Sequence, residues 1–309
     1  MKFLAIIGTY VAAGVGTLAI GMAAKWYDRK VTAMVQYRKG PPWYQPVADV
    51  LKLFYKETLM PSTARGTGFL IAPAVGLAAA VLAAAMLWAA LLNPGVSFVG
   101  DLIVVVYLLV IPPLMTILGA SASGNPHASL GASREMKLIL SYELPLFLAL
   151  LVGVIHGGWK LGLGDMATAQ QAAGTALYSL SGILAMIVAI LAMQAKLGQV
   201  PFDQAEAECE IMSGVYVEYS GPPLALILMG RAVLMATLPL LLIVTLWGGL
   251  EPTGLGWLAF VGKFVLLLTL VTLIRNTNPR LRIDQTVKFF WWGLAPLGVL
   301  AVVLAAAGW

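Results

Sequence analysis

Residues 138–157 read LILSYELPLFLALLVGVIHG, an apolar run interrupted by a single carboxylate at Glu143. A helix of this length, rising about 1.5 Å per residue, crosses the roughly 30 Å hydrocarbon core of a bilayer. Lipid offers backbone amides no hydrogen-bond partner, so a segment at that depth must satisfy its own backbone as a helix. The segment therefore predicts a transmembrane helix that carries one acid.

The remainder of the chain has the same apolar character. Of its 309 residues, 60% are hydrophobic and 11% charged, against roughly 45–50% and 25% in soluble domains. We therefore predict an all-α integral membrane protein, a single transmembrane domain over residues 1–309, with about eight transmembrane helices. The predicted spans lie near 3–24, 69–92, 99–119, 138–157, 177–196, 222–248, 255–274 and 289–308.

A further helix is predicted between the first and second spans. After the turn signal Gly40-Pro41-Pro42, apolar residues recur at helical spacing as Val47, Val50, Leu51 and Phe54. This pattern is typical of an amphipathic helix that lies in the membrane interface with its apolar face down. Whether it does more than anchor the chain to the membrane surface stays open.

The distribution of lysine and arginine predicts the orientation of the chain. Fifteen of the 19 lie in 25–68, 120–137, 196–221 and 275–288. By the positive-inside rule these loops are cytoplasmic, and both termini lie outside. The net charge of +5 is explained in the same way, and the basic residues are not interleaved with aromatic ones. We therefore exclude a nucleic-acid partner.

The sequence lacks the residue groupings of a cofactor site or of hydrolytic chemistry. It has one cysteine, Cys209, and two histidines, His127 and His156, which give no metal-ligand or iron–sulfur spacing. No glycine-rich phosphate loop and no HExxH pattern occurs either. We predict no catalytic residue, no metal and no cofactor in this chain, so redox groups would belong to partner subunits.

Glu143 is the first candidate functional residue. A charged group inside a span costs roughly 2.5–3.5 kcal/mol on insertion scales, and such residues are functional by default. Burial favours the neutral form of a carboxyl group, which could then take up and release a proton. Arg231 and Lys263, in the sixth and seventh spans, either continue a polar axis across the membrane or serve as counter-ions that pair with Glu143.

The densest cluster of acids directly follows the fifth span, in the segment PFDQAEAECE. It holds Asp203, Glu206, Glu208 and Glu210, and Glu218 leads into the next span. If the segment is helical, Asp203, Glu206 and Glu210 share one face, where they would titrate as a coupled group and load protons or attract a cation. The alternative is an ordinary solvated face.

Charged residues also stand just ahead of the fourth and eighth spans. Arg134 and Glu135 precede the fourth, and Arg280, Arg282 and Asp284 precede the eighth. Positions at the ends of spans suit interfacial anchors or contacts with a docked partner.

Motifs along nearly the whole chain resemble the signatures of subunit 1 of respiratory complex I and of its hydrogenase relatives. The acidic segment followed by Glu-Tyr-Ser-Gly is the most specific of them. The motifs are Arg38-Lys39-Gly40-Pro41-Pro42, Gln45-Pro46, Asp49-Val50-Leu51-Lys52, Lys56-Glu57, Leu130-Gly131-Ala132-Ser133-Arg134-Glu135, Ser141-Tyr142-Glu143, Pro201-Phe202-Asp203 through Glu210, Glu218-Tyr219-Ser220-Gly221 and Arg280 through Gln285.

Within that superfamily, the chain looks closer to the membrane anchor of energy-converting nickel–iron hydrogenases, such as formate hydrogenlyase. Residues 124–126 together with 133–136 resemble the hydrogenase branch. Complex I subunits typically carry an Arg-Ala-Ser form at this position instead. Residues 222–224 and 230–232 stand where complex I has a Gly-Glu-Tyr segment, a difference that disfavours quinone binding.

The resemblance implies a multi-pass subunit of a prokaryotic cell membrane that couples redox chemistry to proton or sodium transport. Its partners would be the hydrogenase large and small subunits, a ferredoxin-like iron–sulfur subunit and antiporter-like membrane subunits. Iron–sulfur clusters and a nickel–iron centre would sit on those partners. The alternatives are a quinone-site subunit of a complex I-type dehydrogenase and, from another class, a stand-alone ion transporter.

By the same resemblance, two groups of residues have expected roles. The acids of the ion pathway would be Glu143, Asp203, Glu206, Glu208, Glu210 and Glu218. The buried cations Arg231 and Lys263 would also belong to this pathway. Docking or coupling to the cytoplasmic arm would involve Asp49, Lys52, Glu57, Arg134 and Glu135, together with Arg282 and Asp284.

Overall fold

The computed structural model describes residues 2–64, 66–251 and 254–309, with the side chains of 2–9, 66, 96, 208 and 209 left aside. Every regular element in these ranges is a helix, which confirms the all-α prediction. Numbered in chain order, the α-helices are α1 Lys2–Val35, α2 Gln45–Phe54, α3 Gly66–Leu92, α4 Asp101–Ala122, α5 Pro126–His156, α6 Leu163–Ala173, α7 Leu180–Lys196, α8 Glu208–Ile211, α9 Gly221–Leu246, α10 Gly254–Thr277, α11 Ile283–Lys288 and α12 Ala295–Ala306.

Six helical stretches are long and apolar enough to cross a membrane, which confirms a multi-pass membrane protein. They are Thr67–Leu92, Asp101–Ala122, Pro126–His156, Gly221–Leu246, Gly254–Thr277 and Ile283–Ala306. A shorter apolar helix, Leu180–Lys196, corresponds to the fifth predicted span, and α1 covers the first. The total of eight spans stays a prediction.

Helix α9 lies at the centre of the bundle. It packs against α1, α3, α5, α7 and α10, and most of its side chains are buried. Two glycines permit close approach to its backbone: a Cβ on Gly21 of α1 would lie 2.1 Å from the Ala232 carbonyl oxygen, and one on Gly153 of α5 would lie 2.2 Å from that of Thr245. Small residues at helix crossings are the usual means of close packing in membranes.

The predicted amphipathic helix is present as α2. Val50 is buried against Met22, Ala225 and Ala232 of the bundle, whereas Val47, Leu51 and Phe54 are exposed. The apolar residues therefore face two ways, because Val50 anchors α2 to α1 and α9 while the other three form an outward stripe. That the stripe lies in the membrane interface stays a prediction.

The acidic segment does not form the helix that would place Asp203, Glu206 and Glu210 on one face. Residues 198–207 run through turns, and α8 contributes only one helical turn. Two side chains of this segment are held inside the bundle, and their contacts compete with helix formation. The Phe202 ring is buried against the aromatic rings that follow α11, and Gln204 donates to Thr286 Oγ1 at 2.5 Å. Tertiary contacts therefore set the shape of this loop.

Candidate functional site

Glu143 pairs with Lys196, the last residue of α7. The Lys196 ammonium lies 2.5 Å from Glu143 Oε1, and the Lys196 side chain is fully buried while that of Glu143 is 14% exposed. The ammonium also lies 5.2 Å from the centre of the Tyr142 ring. The expectation that Arg231 or Lys263 would be the counter-ion of Glu143 is wrong, because a nearer cation on α7 satisfies it.

The sequence contains a signal for the Glu143–Lys196 pair. Glu143 lies five residues inside the predicted fourth span, counted from its N-terminal end, and Lys196 is the last residue of the predicted fifth span. Consecutive spans run in opposite directions, so the start of the fourth span and the end of the fifth lie at similar depth. Their contact nonetheless depends on α5 and α7 being neighbours.

Glu206 pairs with Arg231. The distance from Arg231 Nη1 to Glu206 Oε2 is 2.9 Å, and both side chains are about a quarter exposed, at 28% and 27%. The guanidinium carbon lies 5.7 Å from the centre of the Tyr216 ring. Arg231 is thus the counter-ion of Glu206 in the loop and not of Glu143 in α5.

The described acids of the loop each have their own partner, and no single acidic face forms. The pairs are Asp203 with Arg280 at 2.9 Å, Glu206 with Arg231 at 2.9 Å, Glu210 with Arg134 at 2.6 Å, and Glu218 with the Asn125 amide at 2.5 Å. Burial raises the pKa of Asp203 above its ordinary value although the Arg280 guanidinium opposes this shift. The predicted Glu208 side chain lies outside the described residues.

An inner cavity of about 70 Å³ lies between α3, α4, α5 and α9. Its lining includes Glu135, Lys196, Glu206, Tyr216 and Arg231, and most of its other lining residues are apolar. About 10–15 Å³ is enough to hold one water molecule. The inner cavity therefore has room for a few waters beside four charged groups.

Glu135 was grouped with the docking residues by the sequence, and the structure places it on the wall of the inner cavity. Tyr216 and Tyr219 share that wall. Burial raises the pKa of both phenol groups above the ordinary value, so their hydroxyls stay protonated at physiological pH. Tyr219 donates to the Phe69 carbonyl at 3.1 Å. The tyrosines therefore line the cavity as neutral hydroxyl groups.

An outer cavity of about 480 Å³ adjoins the inner one at the end of the bundle where α1 and α10 terminate. Lys25, Asp28, Asp203 and Arg280 are among its lining residues. Leu197, Gly198, Glu206 and Arg231 line both cavities. The Glu206–Arg231 pair thus stands on the wall that the two cavities share.

Lys263 is not brought to this cluster. Its ammonium donates to the Trp247 carbonyl at 2.8 Å and lies 5.7 Å from the centre of the Trp247 ring. Trp247 follows the C-terminus of α9, whereas Arg231, which pairs with Glu206, lies 16 residues earlier in the chain. No continuous polar axis from Arg231 to Lys263 is formed by the contacts among described residues.

The expected docking residues lie at the surface, apart from Glu135 and the partly buried Asp49 and Arg134. Lys52, Glu57, Arg282 and Asp284 are exposed. Asp49 accepts from Arg29 at 2.8 Å and from Gln45 at 2.9 Å. Burial raises the pKa of the Asp49 carboxyl, but these two hydrogen bonds outweigh it and hold the pKa below its ordinary value.

Among the residues whose side chains are described, no group of three or more histidine, cysteine, aspartate or glutamate residues could hold a metal ion. The absence of a cofactor from this chain stays a prediction.

The fold and the site define a class: a multi-pass helical membrane protein in which buried ion pairs and small cavities connect one end of the bundle to an acid inside a span. The profile of the NADH dehydrogenase family matches residues 8–306. The chain belongs to that family, whose members include the H subunit of NADH-quinone oxidoreductase.

Similar proteins cover almost the same length. The H subunit of the NADH-quinone oxidoreductase of Geobacillus thermodenitrificans is 33% identical over 294 residues, which cover 90% of this chain and 86% of that protein. The corresponding protein of Thermomicrobium roseum is 34% identical over 304 residues, with 90% and 88% covered. A chain of the membrane-bound sulfane sulfur reductase, an archaeal respiratory membrane complex, has a TM-score of 0.88 and 29% identity, with 97% and 99% covered.

Proposed function

We propose that this chain is the membrane subunit of an energy-converting respiratory complex of the hydrogenase type. It anchors a cytoplasmic electron-transfer arm and couples redox turnover in that arm to proton or sodium transport. It contributes no redox centre. The partners are the hydrogenase large and small subunits, a ferredoxin-like iron–sulfur subunit and antiporter-like membrane subunits, and the arm docks on the surface that includes Asp49, Lys52 and Glu57.

One observation carries the proposal: the charged groups form an ordered series from the loop surface inward. Asp203 and Arg280 line the outer cavity, and Glu206 and Arg231 stand between the cavities. Glu135 and Lys196 line the inner cavity, and Lys196 reaches Glu143. A change of charge at the docked arm would alter protonation along this series, because interactions between charges are strong where water is scarce.

The first test replaces Glu143 with glutamine in the intact complex. Glutamine keeps the shape and size of the side chain but cannot carry the proton. We expect ion transport driven by redox turnover to fall roughly a hundredfold, the lower range for loss of a proton-transfer group. The measurement compares turnover with formation of a proton or sodium gradient in sealed membrane vesicles, each read with and without an ionophore.

The exposed Lys288, on α11, provides a control for the removal of a charge in this bundle. Lys288→Gln should leave both turnover and gradient formation within about twofold of the wild type, as for surface substitutions in general. Full retention of both activities in Glu143→Gln would contradict the coupling role of Glu143.

A second candidate function is the quinone-site subunit of a complex I-type dehydrogenase. The relatives named above as subunits of NADH-quinone oxidoreductases favour it, and the outer cavity falls in the 300–1,000 Å³ range of ligand pockets. Against it, ligand pockets are mostly apolar, whereas the outer cavity is lined by many charged side chains. Inhibition of the complex by a quinone analogue would favour the quinone function, and insensitivity would favour the hydrogenase type.

A stand-alone transporter would move ions without partners. The purified chain in liposomes should show no ion flux under our proposal, and flux should appear only in the assembled complex during turnover. Ion flux through the isolated chain would favour the transporter.

A further inference from the structure

Lys196 is the innermost cation in the series of charged groups that runs from the loop surface to Glu143. Its side chain has no exposed surface, yet it lines the inner cavity and bonds Glu143, which does not line it. On the cavity side it interacts electrostatically with Glu135. The ammonium is therefore bonded to one carboxyl group and shares the inner cavity with a second one.

The charges of these three groups do not balance if both acids are ionised. One ammonium and two carboxylates would leave a net negative charge in a poorly hydrated region, where an uncompensated charge is strongly unfavourable. The Glu206–Arg231 pair on the same cavity is neutral and does not remove this excess, whereas one proton on the acid that Lys196 does not contact removes it. In the arrangement observed here, Lys196 neutralises Glu143, so the proton belongs on Glu135.

Polar atoms beside the Glu143–Lys196 pair have hydrogen-bonding positions that no described atom fills. Glu143 Oε2 and Tyr142 Oη are both buried without a partner among the described atoms. The ammonium has three donors, of which the bond to Glu143 uses one. Orphaned buried polar atoms are unfavourable and mark places that a water molecule or a proton can occupy.

We propose that Lys196 is a movable counter-ion that transfers one proton between Glu135 and Glu143. When the ammonium moves from Glu143 towards Glu135, the O–H bond on Glu135 breaks and its proton crosses the inner cavity, which has room for water, to Lys196. Because Glu143 does not line that cavity, the last transfer runs through Lys196: the amine takes up the arriving proton and releases one of its N–H protons to Glu143, on which an O–H bond forms. The charge of the group is the same before and after. This inference rests on the proposed function and adds that Lys196, a positioning residue, sets which acid holds the proton.

The test replaces Lys196 in the intact complex and follows carboxyl protonation by infrared difference spectroscopy between the oxidised and reduced arm. In the wild type, carboxylic-acid bands of Glu143 and Glu135 should change with opposite sign, each assigned by its loss in Glu143→Gln or Glu135→Gln. In Lys196→Met both bands should stop responding, and ions moved per electron should fall roughly a hundredfold.

Two further variants keep the test decisive if Lys196→Met assembles poorly. Lys196→Arg keeps the charge on a bulkier, planar group and should restore assembly with only part of the transport. Glu143→Gln/Lys196→Met removes both charges and should assemble well, because no unpaired charge remains buried, yet transport should stay absent.

Two results would overturn the role of Lys196 while the proposed function stands. One is transport at the wild-type level in Lys196→Met when Glu143→Gln has lost it. The other is an unchanging pair of carboxyl bands during turnover of a wild-type complex that transports ions. Loss of the proposed function itself would be seen differently, as full transport in both Glu143→Gln and Glu206→Gln.

Discussion

Arg231→Met is expected to uncouple the complex: ion transport during turnover should fall roughly a hundredfold, as when a proton-transfer step loses a participating group. Arg231 holds Glu206 at 2.9 Å on the wall shared by the inner and outer cavities. Without the guanidinium, the Glu206 carboxylate loses the cation that is bonded to it and that holds it on this wall. A carboxylate that is no longer held between the two cavities cannot pass on the charge changes that arrive from the loop.

The same substitution should lower stability only moderately. Breaking a fully buried ion pair costs about 3–5 kcal/mol, and the exposure of about a quarter of each side chain places this pair below that range. Thermal denaturation of the detergent-solubilised complex measures the effect. Gradient formation in vesicles measures the loss of coupling, and Lys288→Met is the control for the removal of a cation.

The double variant Arg231→Met/Glu206→Gln separates structure from function. Removing both charges should return the denaturation temperature to near the wild-type value, since neither charge is left unpaired. Transport should remain lost because the protonatable group is gone. Recovery of transport in the double variant would show that the pair is only structural.

The second large effect is expected from Gly214→Ala, which should greatly reduce assembly of the subunit. Gly214 has φ of 47°, and a Cβ there would lie 2.0 Å from the Ala205 carbonyl oxygen and 2.7 Å from Ile211 Cδ1. A non-glycine residue in the left-handed region costs roughly 1–2 kcal/mol. The clash with backbone adds to this, because the loop cannot move without leaving α5.

The contact with α5 explains why the loop has little freedom. Gly131 of α5 lies against the same segment, where a Cβ would be 2.7 Å from the Val215 nitrogen and 3.0 Å from the Ala205 oxygen. Displacing the loop by Gly214→Ala would therefore also disturb Glu206. We expect a fall in the amount of subunit found in membranes and in the denaturation temperature of what remains.

Gly158→Ala provides the matched control. Gly158 also has positive φ, of 72°, but no atom lies within 4 Å of a Cβ placed there. Gly158→Ala should therefore lower the free energy of unfolding by the backbone strain alone, about 1–2 kcal/mol. If Gly214→Ala were no worse than Gly158→Ala, the close packing of the loop on α5 would not be a determinant of stability.

The sequence by itself determined that the chain is helical and crosses the membrane several times. A run such as residues 138–157 has no alternative in lipid, because its backbone groups can find partners only within the helix. The same reasoning pointed to Glu143, since an acid in such a run is costly wherever the neighbouring helices lie. These conclusions depend on composition along a segment and need no knowledge of its neighbours.

The tertiary structure alone decided which charges meet. Lys196, at the end of a span, became the partner of Glu143 because α7 packs on α5, and Arg231 went to Glu206 because the loop folds inward on Phe202. The acids therefore form separate pairs around two cavities and not one face of a helix. Pairing depends on distances between segments far apart in the chain, and those distances are set by helix packing, which a pattern along a single segment does not contain.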